Sequence, residues 1–390
     1  MTGISFSNPS GKRFFLRQLN FNQIMSTRRD FIKKMTAASV VLPFFNDLPT
    51  LKTQSTEARQ LRVAFCGLGS YANRVAEAMQ MCTNAKIVGA ISGTPAKLEN
   101  WQKKYGIPKE NCYSYETFDD LKNNPNIDVV YVTSPNALHH PHTLRVAKAG
   151  KHVICEKPMA VNVKECKEMI DACKNANVKL LIGYRLHFEP FTKELIRMRT
   201  SGELGKILFV NATMGFKIGD PTQWRLKKAL AGGGAMMDVG VYAINGSRYA
   251  TGEDPVWVTA QEQKTDFVKF KEVDETITWQ LGFPSGVIAN CATTYNFNDF
   301  DRLYVAGEKD IYELSPAFAY GPLKAKTYKG SVNQPVVTHQ TYQMTGMADI
   351  ILNNAPHPNC DGYEGLKDMQ IVEAIFKSIS KGGKKVWVKY

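Results

Sequence analysis

The stretch Leu61-Arg62-Val63-Ala64-Phe65-Cys66-Gly67-Leu68-Gly69-Ser70-Tyr71-Ala72 decides the fold. Six mostly apolar residues run straight into glycines at 67 and 69, and a helical pattern follows. In a strand–turn–helix, Gly67 permits the tight turn and Gly69 lets backbone approach a pyrophosphate. Ala72 allows close helix–strand packing. The N–H groups that open the helix then face the phosphates. The stretch reads as a dinucleotide cradle.

Working outward, residues 61–184 alternate short apolar runs with helical patterns, the mark of a doubly wound parallel sheet. Strands are expected at 61–66, 86–91, 129–132, 152–155 and 179–182, with helices at 75–82, 94–105, 142–149 and 163–176. In the last, Val163, Cys166, Met169, Ile170 and Cys173 recur with a 3.6 period and define a buried face. Past about residue 205 the pattern changes to strands at 207–214, 256–262, 275–283, 287–295, 302–306 and 311–314. Helices at 342–353 and 363–380 close the chain. The expected fold class is α/β: a Rossmann domain over 61–184, then a C-terminal α+β domain over 185–390. The second domain carries a large, mostly antiparallel open sheet, and its last helix packs back on the first domain.

Three further elements carry chemistry. The strand ending at Ile91 runs into Ser92-Gly93-Thr94, without the carboxylate that would bind a ribose 2′-hydroxyl. Hydroxyl and N–H groups there, with Lys97 one turn on, suit a 2′-phosphate, so NADP is favoured over NAD. Gly150-Lys151-His152-Val153-Ile154-Cys155-Glu156-Lys157-Pro158 delivers Lys157 off a strand end, where ligands bind in such sheets. Gly232-Gly233-Gly234 lets backbone pass close to a ligand. It precedes Asp238 and Tyr242, which stand at i, i+4 on one helix face. A tyrosine with an ordinary pKa of about 10 needs a cation nearby to act as a base, and Lys157 supplies one. The bland alternatives are a turn lysine, a helix cap and a core tyrosine.

Net charge is +13 over 390 residues, with 44% apolar and 22% charged side chains. The first sixty residues hold nine basic and three acidic groups, or +6 of that excess. Neither a basic stripe nor a recognition motif follows, which excludes nucleic acid as the expected partner. Residues 1–60 read as a leader. Arg28-Arg29, Phe31 and Lys33, then an apolar run at 35–45, match a twin-arginine export signal. That run is too short to span a bilayer. A basic amphipathic helix is the alternative. Met25 is a candidate start and 56–58 a weak cleavage site. A periplasmic location and the twin-arginine machinery as a partner follow. Eight cysteines show neither a zinc spacing nor C-x-x-C, so buried thiols are expected rather than a disulfide scaffold. His139, His140 and His142 are interrupted by Pro141, and no metal is expected there.

The chain resembles the glucose-fructose oxidoreductase/inositol dehydrogenase/MocA family, and within it the glucose-fructose oxidoreductase branch. The similarity rests on Gly67–Ala72, Ser92-Gly93 with Lys97, Ser134-Pro135-Asn136 through His139, Ala149–Pro158, Gly183-Tyr184-Arg185 with His187, Gln223-Trp224-Arg225-Leu226 and Gly232–Asn245. The branch, unlike most of the family, carries tyrosine at the position of Tyr242. The resemblance implies that Lys157, Asp238 and Tyr242 are the catalytic set, with Tyr242 as acid/base. It implies that Gly67, Leu68, Gly69, Ser70, Tyr71, Ser92, Gly93, Lys97, Tyr115, Pro135, Asn136, His139, Glu156, Lys157, Arg185, Trp224 and Arg225 meet the cofactor. Tyr184, His187, Asp238, Tyr242 and Tyr295 would meet a sugar. A cis bond before Pro158 and a homodimer or homotetramer built on the C-terminal sheet are also implied. The branch's long proline-rich arm is reduced here to residues 47–60 with Pro49 alone, which argues against permanent cofactor retention; export argues for it.

The function expected is an exported NADP-dependent sugar oxidoreductase, which on the resemblance would couple aldose oxidation to ketose reduction. An exported NAD-dependent glycosidase, an exchanging sugar or polyol dehydrogenase and a non-catalytic sensor are the alternatives.

Overall fold

A computed structural model describes residues 59–390 apart from Asp299 and Pro358. The twin-arginine signal, the start at Met25, the cleavage point and nearly all of the 47–60 arm lie outside the described residues.

The N-terminal half lays six parallel strands in the order β3-β2-β1-β4-β5-β6. They are β1 (Leu61–Cys66), β2 (Ala85–Ile91), β3 (Cys112–Tyr113), β4 (Val129–Val132), β5 (His152–Cys155) and β6 (Leu180–Ile182). Strands β1, β4 and β5 are covered on both faces, so they read as unbroken apolar runs. Crossovers run through α1 (Ser70–Met79), α2 (Pro95–Tyr105), α3 (His139–Lys148) and α4 (Val163–Asn175). In α4, Cys166, Met169, Ile170 and Cys173 are buried, and the Asn162 side chain caps the helix by accepting the Glu165 N–H at 2.8 Å.

Two helices start earlier than their apolar period suggests. α1 begins at Ser70 because Gly69 is its N-cap. α3 begins at His139, and Pro141 sits in its first turn, where a missing N–H forfeits no intrahelical bond.

The second sheet has nine strands in the order β14-β13-β12-β11-β7-β10-β9-β8-β15. Its middle is β7 (Ile207–Gly215), β8 (Trp257–Gln263), β9 (Thr276–Gly282), β10 (Ile288–Thr294), β11 (Phe300–Gly307) and β12 (Ile311–Leu314). β13 (Ala325–Thr327), β14 (Gly330–Val332) and β15 (Val386–Trp387) form its edges. Only β7 and β10 pair in parallel, so the sheet is mostly antiparallel as expected. On β9, Ile277, Trp279 and Leu281 face the core while Thr278 and Gln280 face out. A helix absent from the sequence reading, α5 (Pro190–Thr200), leads into this domain, and α6 (Val241–Thr251) packs on the sheet's inner face.

The chain then returns. In α7 (His339–Asn353), Thr341 Oγ1 donates to the Ala78 carbonyl at 2.9 Å, at the end of α1. The Ile182 N–H donates to the Cys360 carbonyl at 2.7 Å, and α8 (Gly362–Ser380) packs on α4, β6 and β8. All eight cysteines are free. No helix among the described residues is long and apolar enough to cross a membrane.

Candidate active site

Strand order reverses between β1 and β4, which opens a crevice beyond their carboxyl ends. The cradle occupies it. Gly67 has φ +94°, and a Cβ there would lie 2.6 Å from the Ser134 nitrogen, so only glycine fits. Gly69 is the opposite case: nothing lies within 4 Å of the place a Cβ would take. Its backbone faces open space, and α1 begins without a side-chain cap, so its first N–H groups are available. These features fit a dinucleotide's phosphates.

At the end of β2, Ser92 Oγ accepts the Thr94 N–H at 3.1 Å, and Gly93 packs against the Tyr115 ring. The first turn of α2 holds no acid, and Lys97 is exposed there. This corner fits an anionic substituent.

Lys157 leaves β5 next to Asp238, which stands in a π-helical turn, Met236–Gly240, just before α6. Lys157 Nζ donates to the Asp238 carbonyl at 2.5 Å and to its carboxylate at 3.3 Å. Arg225 Nε and the Tyr295 hydroxyl donate to the other carboxylate oxygen at 3.0 and 2.8 Å. Burial disfavours the Asp238 carboxylate, but Lys157 and Arg225 outweigh it and hold its pKa down at about 2. Burial likewise disfavours the Lys157 ammonium, and Tyr242 with Asp238 more than offsets it, raising the pKa above the ordinary lysine value. Lys157 also lies 4.6 Å from the Tyr242 ring centroid. The turn is anchored by Asp274, which accepts the Gly234 and Met236 N–H groups at 2.6 and 2.8 Å. A side chain at Gly234 would strike the Asp274 carbonyl at 2.0 Å, which explains that glycine.

Lys157, Asp238 and Tyr242 line one open cleft of about 880 Å³ with Arg185, Phe216, Gln223, Arg225, Asp301, Phe318 and Tyr320. A buried ammonium and a tyrosine at one wall can take and return a hydroxyl proton while stabilising alkoxide charge.

Glu156 is buried beneath this wall. It accepts from the Tyr131 hydroxyl and from the Lys157 N–H, and Tyr131 in turn accepts from Gln343 at 2.7 Å. Burial pushes the Glu156 carboxyl up to about 7. His139 is buried between the Pro158 and Ser134 carbonyls, each 2.8 Å from a ring nitrogen, so it ties two loops together. Asn136 donates to the Ala231 carbonyl at 2.9 Å and joins the cradle side to the glycine loop. Leu68 is core, Ser70 is exposed, Tyr71 and Pro135 are half-buried, and the Lys157–Pro158 bond is cis. Among the described residues no cluster of metal-ligating side chains occurs.

At three of the positions expected to meet a sugar, the side chains bond to other parts of the protein. Tyr184 and His187 stack on each other with centroids 5.1 Å apart. The Tyr184 hydroxyl donates to Asp368 at 2.5 Å, and His187 bonds the Tyr249 hydroxyl at 2.7 Å, both outside the cleft. Tyr295 supports Asp238 from behind. Trp224 stacks under Arg225, 4.5 Å from its guanidinium. Arg185 does line the cleft, but its guanidinium grips the Phe318 and Ala319 carbonyls and His339 Nδ1.

Sequence reasoning missed Asp301, Phe318 and Tyr320. Asp301 accepts the N–H groups of Ala317, Phe318 and Ala319 at 2.7–2.9 Å and fixes the loop after β12. Nothing in the sequence marks this pairing.

This fold and site define a class, and the chain belongs to the Gfo/Idh/MocA family. Residues 61–184 match its oxidoreductase model with an NAD-binding Rossmann fold, and residues 192–313 match its C-terminal domain model. Among solved structures the chain is similar to the aldose-aldose oxidoreductase from Caulobacter crescentus, with 43% identity and a TM-score of 0.80 over 84% of this chain and 100% of that one. It is 30% identical to D-xylose 1-dehydrogenase [NADP(+)] of Haloarcula marismortui over 69% of this chain and 77% of the relative. GenD2 from gentamicin A biosynthesis, solved with NAD, shares the fold at 20% identity and a TM-score of 0.74, covering 86% of this chain and 98% of that one.

Proposed function

We propose that this protein is an exported, NADP-dependent sugar oxidoreductase that keeps its cofactor and passes hydride from one sugar to another. The observation that carries this reading is the convergence of Lys157, Asp238 and Tyr242 on one open cleft beside the cradle. Similarity to an aldose-aldose oxidoreductase and to an NADP-dependent xylose dehydrogenase supports the substrate class. The carboxylate-free end of β2 with Lys97 supports NADP.

When bound, the nicotinamide accepts and returns hydride. Tyr242 takes the proton of the sugar hydroxyl that is oxidised, and Lys157 stabilises the alkoxide charge as it develops. Asp238, fixed by Arg225 and Tyr295, orients Lys157 and accepts a neighbouring sugar hydroxyl. In the reverse direction Tyr242 would return that proton to the carbonyl oxygen of a second sugar, so that one sugar leaves as lactone and the other as alditol. The twin-arginine pattern at 28–34 supports export of the folded protein to the periplasm. The outer face of the nine-stranded sheet, with Leu208, Phe209 and Ile288 exposed, supports a homodimer or homotetramer built there.

The test is purification without added nucleotide, denaturation, and identification of what is released. Near-stoichiometric NADP(H), with lactone and alditol formed from sugars alone, is the expected result. An empty protein that turns over only with added nucleotide would overturn retention.

A further inference from the structure

Tyr320 stands at the tip of the loop between β12 and β13, on the C-terminal domain, yet its ring is held by the cradle. The Arg74 guanidinium, in the second turn of α1, lies 4.3 Å from its centroid. Tyr71, in the first turn, has its ring 6.2 Å away. The Arg185 guanidinium also lies 4.6 Å from the centroid of the same ring. Tyr320 as a whole residue is 44% exposed, so it occupies a rim and not the core. The backbone behind it is rigid, because Asp301 caps residues 317–319 and Arg185 holds the Phe318 and Ala319 carbonyls. Gly321, with φ +98°, turns the chain away just beyond it.

Tyr320 touches the helix that begins at the phosphate end of the cradle, and it also lines the cleft that holds Lys157. It therefore spans the two ends of the cofactor's site. We propose that Tyr320 and Arg74 form a clasp between the two domains that slows dissociation of the dinucleotide. The clasp rests on the reading above that NADP is the cofactor, and it assigns to this loop the retention that a short N-terminal segment with one proline leaves unassigned. A guanidinium over a ring at a partly exposed site is a modest attraction, so loss of either partner is enough to free the ring to swing out.

The test is the rate at which bound NADPH is displaced by excess NADP+, followed by nicotinamide fluorescence in the full chain. Tyr320→Ala and Arg74→Met should each speed release at least about tenfold, a change of about 1.4 kcal/mol. Tyr320→Phe keeps the ring and should release at the parental rate. The double variant should be no faster than the faster single one, because either change opens the same contact. Release within twofold of the parent in both Tyr320→Ala and Arg74→Met overturns the clasp. So does full additivity, which would mean that Arg74 holds phosphate on its own. A parent that releases NADPH readily overturns retention, while the ratio of variant to parental rates still tests the clasp.

Discussion

Replacing Asp238 with Asn removes one negative charge and almost no volume. In the native protein that carboxylate receives Lys157, Arg225 and the Tyr295 hydroxyl at 3.3, 3.0 and 2.8 Å. Its pKa of about 2 against an ordinary 3.8 corresponds to about 2.5 kcal/mol of stabilisation. A depressed carboxylate contributes this stability above its ordinary pKa and loses it as pH falls towards 2. Asp238→Asn should therefore lower the unfolding free energy by about 2–3 kcal/mol at neutral pH, with the gap closing in strong acid. Lys157 loses a counter-charge at the same time. Its pKa should fall, and the basic limb of the kcat/KM profile should move to lower pH. Lys157 keeps the backbone carbonyl of residue 238 but loses its carboxylate partner, and hydride transfer should slow about tenfold or more. Denaturant melts and single-turnover absorbance at 340 nm across pH measure these separately. A variant with parental turnover and an unmoved basic limb would refute the role given to Asp238.

Gly69→Ala should leave thermal stability unchanged, since its Cβ meets nothing in the protein, while nucleotide affinity falls at least about tenfold by titration calorimetry. Gly67→Ala should instead destabilise the fold by several kcal/mol on a denaturant melt, because it combines φ +94° with a 2.6 Å clash. Glu156, held protonated up to about pH 7, should make stability fall by about 3 kcal/mol between roughly pH 4.5 and 7. Glu156→Gln should flatten that slope, and melts at several pH values decide it. Lys97→Ala should weaken NADP binding about tenfold with little effect on NAD, read from the two dissociation constants.

The cradle, Lys157 and the Asp238–Tyr242 pair were legible because each is written in one short stretch whose backbone sets the geometry. Gly67 and Gly234 are forced by backbone that packs against them, Ser134 and Asp274 respectively, whereas Gly69 faces open space. Asp274 and Asp301 were not legible: each caps backbone brought to it by sheet topology, and a carboxylate 16 to 40 residues from its partners leaves no local trace. The orientation of Tyr184 and His187 has a local cause. They flank Arg185 in sequence, but a 3₁₀ turn spans Arg185–Phe188, and residues three apart nearly eclipse in that geometry. Tyr184 and His187 therefore stack together while Arg185 lines the cleft. The strands of the second sheet were legible from alternation, whereas β3 and β15, at two residues each, are too short to carry a period.

The return of α7 and α8 to the first domain bears on how the protein is made. The segments that cover α1, α4 and β6 are encoded after residue 338, although the cradle they support is encoded before residue 73. During synthesis the nucleotide-binding sheet thus waits, incompletely covered, for almost the whole chain. A polypeptide truncated in its last fifth would fail first at its first domain.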